Sequence, residues 1–201
     1  MGIVKNIKAA QEQTTKPSRE EAEEAVRTLL RWAGENPARP GLRETPGRVT
    51  RAYEEFFAGY DQNADELLSK TFEDIEGYND FVLVKNIDFT SHCEHHMVPI
   101  IGRAHVAYWP DARIVGISKL ARVVDVFAKR LVSQETMTRQ IVDSIDGALA
   151  PKGVAVMIDA VHHCMSIRGT AKAGASTVTS QFSGIFEHDE KVRARFLENC
   201  R

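Results

Sequence analysis

Two short segments about seventy residues apart, Cys93-Glu94-His95-His96 and His162-His163-Cys164, constrain this 201-residue chain more than any other feature. Together they hold four of its seven histidines and two of its three cysteines. Thiolate and imidazole are the donors that borderline-soft zinc prefers.

Two arrangements compete. In one, Cys93, His96, His162 and Cys164 close a tetrahedral structural site, and the chain need not be an enzyme. In the other, Cys93, His96 and Cys164 hold the ion with its fourth position open, while His95 and His162 carry protons beside it. Spacing alone does not choose, although a closed site leaves His95 without work. On a turn, Cys93 and His96 share a face. On a strand, His162 and Cys164 point to one side and His163 to the other.

The remaining sequence narrows the setting. With 26 basic and 28 acidic residues the net charge is -2, so nothing global advertises nucleic acid or an anionic membrane. No apolar run approaches the roughly 20 residues of a membrane span, and the N-terminus lacks a signal-peptide core, which makes the cytosol the expected compartment. In a reducing compartment, cysteines beside histidines read as ligands or nucleophiles rather than disulfide partners. Cys200 reads as a spare thiol.

Residues 1–17 read as a flexible arm, 18–75 as a helical region, and 76–201 as a catalytic region continuous with it. Ser18 with Glu21 forms a capping box for a helix whose Ala22, Ala25, Leu29 and Trp32 share a face. Thr45 is the expected cap of a second helix with Pro46 at its first position, and a third covers Ala64 to Ser69. Strands are expected at Phe81–Val84, Ile87–Thr90, Val98–Trp109 with a bend near Gly102, Ile114–Ile117, Val154–Val161 and Thr177–Phe186. Helices are expected from Ser118 as cap, from Gln134 to Leu149, and from Glu187 to Glu198. This order predicts an α+β domain with helices packed on one face of a mainly antiparallel sheet.

Several blocks then stand out in order: Glu44-Thr45-Pro46-Gly47-Arg48-Val49, Cys93-Glu94-His95-His96, Gly116-Ile117-Ser118-Lys119-Leu120-Ala121-Arg122, Gln134-Glu135, and His162-His163-Cys164 with Arg168 after it. From about Ser18 onward the chain resembles GTP cyclohydrolase I. The resemblance implies Zn2+ on Cys93, His96 and Cys164, and acid/base roles for His95 and His162. It implies hydrolysis of GTP to 7,8-dihydroneopterin triphosphate and formate, the first step of folate and pterin biosynthesis. Ser118, Lys119, Arg122, Arg168 and Arg48 would meet the triphosphate, there being no P-loop, and Ser118 and Lys119 sit at an expected helix N-terminus that favours anions. Glu135 would read guanine through a bidentate carboxylate contact, with Gln134 beside it. The implied fold is the T-fold, self-associating into a ring oligomer, a decamer in the family. Two positions depart from the family pattern: Val132 stands where a glutamine is common and Thr136 where a basic residue is. The other readings are a purine- or pterin-binding module with structural zinc, and a different zinc hydrolase acting on a nucleobase, although the deaminase signature is missing.

Overall fold

The computed structural model describes residues 16–72 and 77–201. All but Lys16 and Pro17 of the expected N-terminal arm lies outside the described residues. The chain divides into two compact units, one ending at Glu54 and the other running from Glu55 to Arg201.

In the first unit, helix α1 (Arg19–Trp32) opens on the capping box: Glu21 N donates to Ser18 Oγ at 3.2 Å, and Ser18 N donates to the Glu21 carboxylate at 2.7 Å. Its anticipated apolar face is uncovered, with Leu29 and Trp32 exposed and no residue of the helix buried. Helix α2 (Thr45–Phe56) starts at Thr45 itself rather than after it. Pro46 is tolerated there because first-turn N–H groups have no intrahelical acceptor to lose.

The second unit begins with a 3₁₀ turn (Ala58–Asp61) and the short helix α3 (Ala64–Leu68), whose first turn is capped by Asn63. The elements β1 (Thr71–Phe72), β2 (Val82–Cys93), β3 (Pro99–Trp109) and β4 (Ile114–Val115) follow. Helix α4 (Ile117–Ala128), strand β5 (Leu131–Val132), helix α5 (Gln134–Leu149) and strand β6 (Gly153–His162) come next. The chain closes with α6 (His163–Ser166), β7 (Thr177–Phe182), α7 (Ile185–His188) and α8 (Glu190–Asn199). Strands β5-β2-β3-β6-β7 form one five-stranded sheet, antiparallel except for the β2–β5 pair, and β1 with β4 forms a small second one. No described helix is long and apolar enough to cross a membrane.

Strand alternation sends side chains to two cores. Ala104, Val106 and Tyr108 of β3 with Val154, Val156 and Ile158 of β6 face Leu120, Val124, Met137, Ile141 and Ile145 of α4 and α5. Ala107 and Ala155 face the other way, onto Phe186 and Phe196 of the C-terminal helices. The main helical layer therefore covers one face, and α7 and α8 occupy part of the opposite one.

Local expectations change where tertiary contacts intervene. Residues 81–90 form no pair of strands but one long β2 whose register slips between Val84 and Ile87, at left-handed Asn86 (φ 58°). Strand β3 runs straight through Gly102, which serves close approach rather than a bend. A Cβ there would sit 2.3 Å from the Asp159 carbonyl oxygen and 2.4 Å from Ala160 Cβ. Strand β7 stops at Phe182, because Gly184 (φ 53°) turns the chain against Lys152 and starts α7. Helix α8 consequently begins at Glu190, with Asp189 as its cap. Helix α4 starts at Ile117, so Ser118 lies inside its first turn rather than capping it.

Candidate metal centre

Register brings the two histidine clusters to one end of the sheet. His92 pairs with Pro99, and Ile100 pairs with His162, so the end of β2, the start of β3 and the end of β6 lie side by side. Strand β5 joins the same end, Val132 pairing with Cys93, and leads through Ser133 directly into Gln134 and Glu135. After β2 the chain turns tightly, with His96 N and Met97 N both donating to the Cys93 carbonyl and Met97 left-handed (φ 54°). After β6 it coils at once into α6.

That coil replaces the strand parity expected for the second cluster. Cys164 projects from a helical turn, and His163 Nδ1 lies 3.1 Å from Ser166 Oγ. His162, last residue of the strand, sets its Nε2 2.7 Å from Gln134 Oε1.

Cys93, His96 and Cys164 come together. One donor atom from each lies within 4.8 Å of the others, the only such group of three among the described residues. Cys93 Sγ stands 4.0 Å from His96 Nδ1 and 3.6 Å from His95 Nδ1, yet His95 falls outside the mutually close set. His162 is outside it too. Burial, followed by the neighbouring Cys93, pushes the Cys164 thiol up, so two thiolates packed this closely call for a cation. Ligand pairs around tetrahedral zinc are ~3.3–3.8 Å apart, by the usual Zn–S and Zn–N lengths. The trio would need to tighten by about 1 Å. Two thiols, an imidazole and this spacing fit a zinc or similar thiophilic ion.

The proton-bearing groups differ in setting. His95 is exposed, its Nε2 3.9 Å from a Glu94 carboxylate oxygen. His162 is half-buried, and that burial pulls its pKa below the ordinary histidine value, with the Glu135 charge partly opposing. Glu135 itself is exposed in the first turn of α5. Gln134 is buried at 1% exposure, its amide fully engaged. Val132, one of the two departures, is a buried strand residue beside Cys93, and Thr136 closes the Ser133 cap.

The anion-binding candidates do not gather here within one chain. Val115, just before α4, donates its N–H to Tyr108 Oη at 3.1 Å, and Tyr108 pairs with Val82 at the far end of β2 from Cys93. At about 3.3 Å per residue, that end is over 30 Å away. Exposed Ser118 and half-exposed Lys119 therefore sit at the opposite end of the sheet, with exposed Arg122 one turn on. Arg168 is close enough to favour the Cys164 thiolate. Arg48 belongs to the other unit and pairs with Glu44. A cavity of about 560 Å³ lined by Arg103, His105, Asp159 and Cys200 includes none of these residues.

Sequence reasoning missed Thr138 and Thr179, which hold the Gln134 amide in place. The four-residue spacing of Gln134 and Thr138 on a helix was the available signal, since a threonine hydroxyl commonly bonds back to the carbonyl four residues earlier.

The fold and site thus define an α+β protein carrying a Cys–His–Cys group able to hold a metal ion. A family model described as GTP cyclohydrolase I matches residues 22–201. A protein named GTP cyclohydrolase 1 from Allorhizobium ampelinum is 57% identical over 191 residues, covering 95% of each chain. One of the same name from Sinorhizobium fredii is 55% identical over 199 residues, covering 99% of this chain and 97% of its own. A third, from Brucella suis, is 59% identical over 186 residues, covering 92% and 87%. The chain belongs to the GTP cyclohydrolase I family, and its architecture is the α+β T-fold of that family.

Proposed function

We propose that this chain hydrolyses GTP, opening the guanine imidazole ring, releasing carbon 8 as formate and closing the product to 7,8-dihydroneopterin triphosphate. The observation that carries this reading is the mutual approach of Cys93, His96 and Cys164, with His95 and His162 adjacent but outside the trio. In a closed four-ligand site His162 would be a donor. It lies outside the mutually close group of donors instead, which favours the open arrangement.

Zn2+ on Cys93, His96 and Cys164 would supply a Lewis acid to the ring-opening. The protein's own groups do the rest. His162, neutral at physiological pH because burial disfavours its cation, is ready to take up a proton and return it near carbon 8. His95, open to solvent and next to Glu94, serves as the second carrier. Glu135 accepts from the guanine N–H and exocyclic amine together, a pairing adenine does not offer. Arg168 approaches the substrate from the side of Cys164, and Ser118, Lys119, Arg122 and Arg48 hold phosphates.

Because Ser118 and Lys119 lie toward the end of the sheet opposite the trio, the phosphate-binding set of one chain would serve the metal site of another. This supports assembly into a ring oligomer, the decamer implied by family resemblance, acting in the cytosol where the thiols stay reduced. The test is direct. Metal-replete protein incubated with GTP should yield formate and, after oxidation, a fluorescent pteridine. Neither product from folded, zinc-loaded protein would remove the proposal, and consumption-free binding would point to a pterin- or purine-binding module.

A further inference from the structure

Gln134, anticipated as a pocket residue beside the base, is almost fully buried, at 1% exposure. Its amide nitrogen has three neighbours: Thr177 O at 2.9 Å, Thr179 Oγ1 at 3.1 Å and Ile158 O at 3.2 Å. Its amide oxygen has one, His162 Nε2 at 2.7 Å.

Amide oxygen and nitrogen are commonly interchangeable in a structure, but this network leaves no choice. Two of the three neighbours are backbone carbonyls, which only accept. The third is a hydroxyl whose proton is already committed. Thr138 Oγ1 donates its single proton to the Gln134 carbonyl at 2.7 Å and lies 2.7 Å from Thr179 Oγ1. Thr179 must therefore donate to Thr138 and has only lone pairs left for Gln134. Three acceptors around one atom make that atom the NH₂ group, so Oε1 faces His162. An oxygen acceptor at 2.7 Å from Nε2 requires that nitrogen to carry hydrogen.

We infer that Gln134 is a positioning residue acting through His162: it locks the neutral imidazole as the Nε2–H tautomer and leaves Nδ1 as the one ring nitrogen able to accept the proton moved in catalysis. This rests on the proposal that His162 is a proton carrier. The clamp is anchored on β6 and β7, in register at Ile158 and Thr179, so the strand that carries His162 also fixes its orienter. With both rigid, the ring cannot flip to offer the wrong nitrogen. A neutral imidazole in the other tautomer would set the bare Nε2 lone pair against the lone pairs of Gln134 Oε1 and present no lone pair at Nδ1.

The experiment is solid-state 15N NMR on histidine-labelled, zinc-loaded protein at about pH 8, where imidazole is neutral, with His162→Gln assigning the resonances. Wild-type protein should show His162 with protonated Nε2 and bare Nδ1. Gln134→Met, close in volume but unable to accept, should show a tautomer mixture. Its kcat should fall about 10- to 100-fold while the KM for GTP stays within about twofold, as for loss of an orienting hydrogen bond. Protonated Nδ1 in the wild type overturns the inference without any variant, so poor folding of Gln134→Met does not protect it. An unchanged tautomer in Gln134→Met overturns it too, as does a raised KM with unchanged kcat, which would put Gln134 on the substrate. Because the spectrum is read without turnover, failure to hydrolyse GTP would sink the activity and leave the tautomer assignment standing.

Discussion

Gly102→Ala should couple the sheet to the metal site. Gly102 pairs with Ala160 across β3 and β6, two residues before His162. The new Cβ would lie 2.3 Å from Asp159 O, 2.4 Å from Ala160 Cβ and 2.6 Å from Ala160 Cα, whereas ordinary contact begins at 3.4 Å. Two of these neighbours are backbone atoms and the third is a Cβ, so no flexible tip can yield and the strands must part by about 1 Å. Overpacking of this kind costs ~1–3 kcal/mol, and the larger figure applies because the ladder is strained as well. For a domain of this size that lowers the melting temperature by roughly 6–12 °C. The same displacement carries Cys164 away from Cys93, on the far side of β3, in a trio that must instead tighten by about 1 Å around an ion. Zinc affinity should fall about 10- to 100-fold, as when an orienting shell is disturbed. Thermal denaturation and competition with a chromogenic chelator measure the two effects. Gly147→Ala is the control, since nothing lies within 4 Å of its Cβ and a helical alanine should be neutral or slightly stabilising. If Gly102→Ala melts within about 2 °C of wild type and keeps its zinc, strand separation is not transmitted to the site and the reasoning fails.

Cys164→Ser should lose both metal and turnover, whereas His162→Ala should keep metal and lose about 10²- to 10⁴-fold in kcat, as expected for an acid/base group; metal analysis beside steady-state kinetics separates them, and zinc loss in His162→Ala would revive the four-ligand site. Mixing Cys164→Ser with Lys119→Ala subunits, each inactive alone, should restore roughly a quarter of the sites if the pocket draws on two chains, and no recovery after subunit exchange would contradict a shared pocket. Stability should drop on acidification. His92 and His105 have their pKa values lowered by burial, so the unfolded chain takes up protons first. Their contribution is complete above about pH 6.5 and lost below it, at up to ~1.4 kcal/mol per pH unit for each. Urea midpoints that stay flat from about pH 8 to 5.5 would refute this. Burial pushes the Cys200 thiol up to about 11, so its alkylation by iodoacetamide near neutral pH should be far slower than that of a free cysteine, measured by mass spectrometry.

Much of the fold was legible where local chemistry decides it. The Ser18–Glu21 box and the span from Gln134 to Leu149 followed from caps and helical periodicity, and both formed as written. Boundaries moved where a distant segment intervened. The strand expected to reach Phe186 stops at Phe182 because Lys152 crowds Gly184, about thirty residues away in sequence. Gly102 looked like a bend because isolated glycine in a strand signals either a kink or close approach, and only the facing strand decides which. Strand parity failed at His162 because the strand ended there, and a period of two has no meaning beyond its last residue.

By itself the sequence determined the donor chemistry: which thiols and imidazoles exist, how they cluster, and which blocks tie the chain to a family. Those are properties of residue type and short spacing, which folding does not alter. Tertiary structure decided how the imidazoles divide. His96 joins the two thiols while His162 turns to Gln134, and Ser118 and Lys119 end up across the sheet from the site they were expected to serve. Strand register and the length of β2 set those relations, and both arise from pairings between segments far apart in the chain that no local pattern encodes.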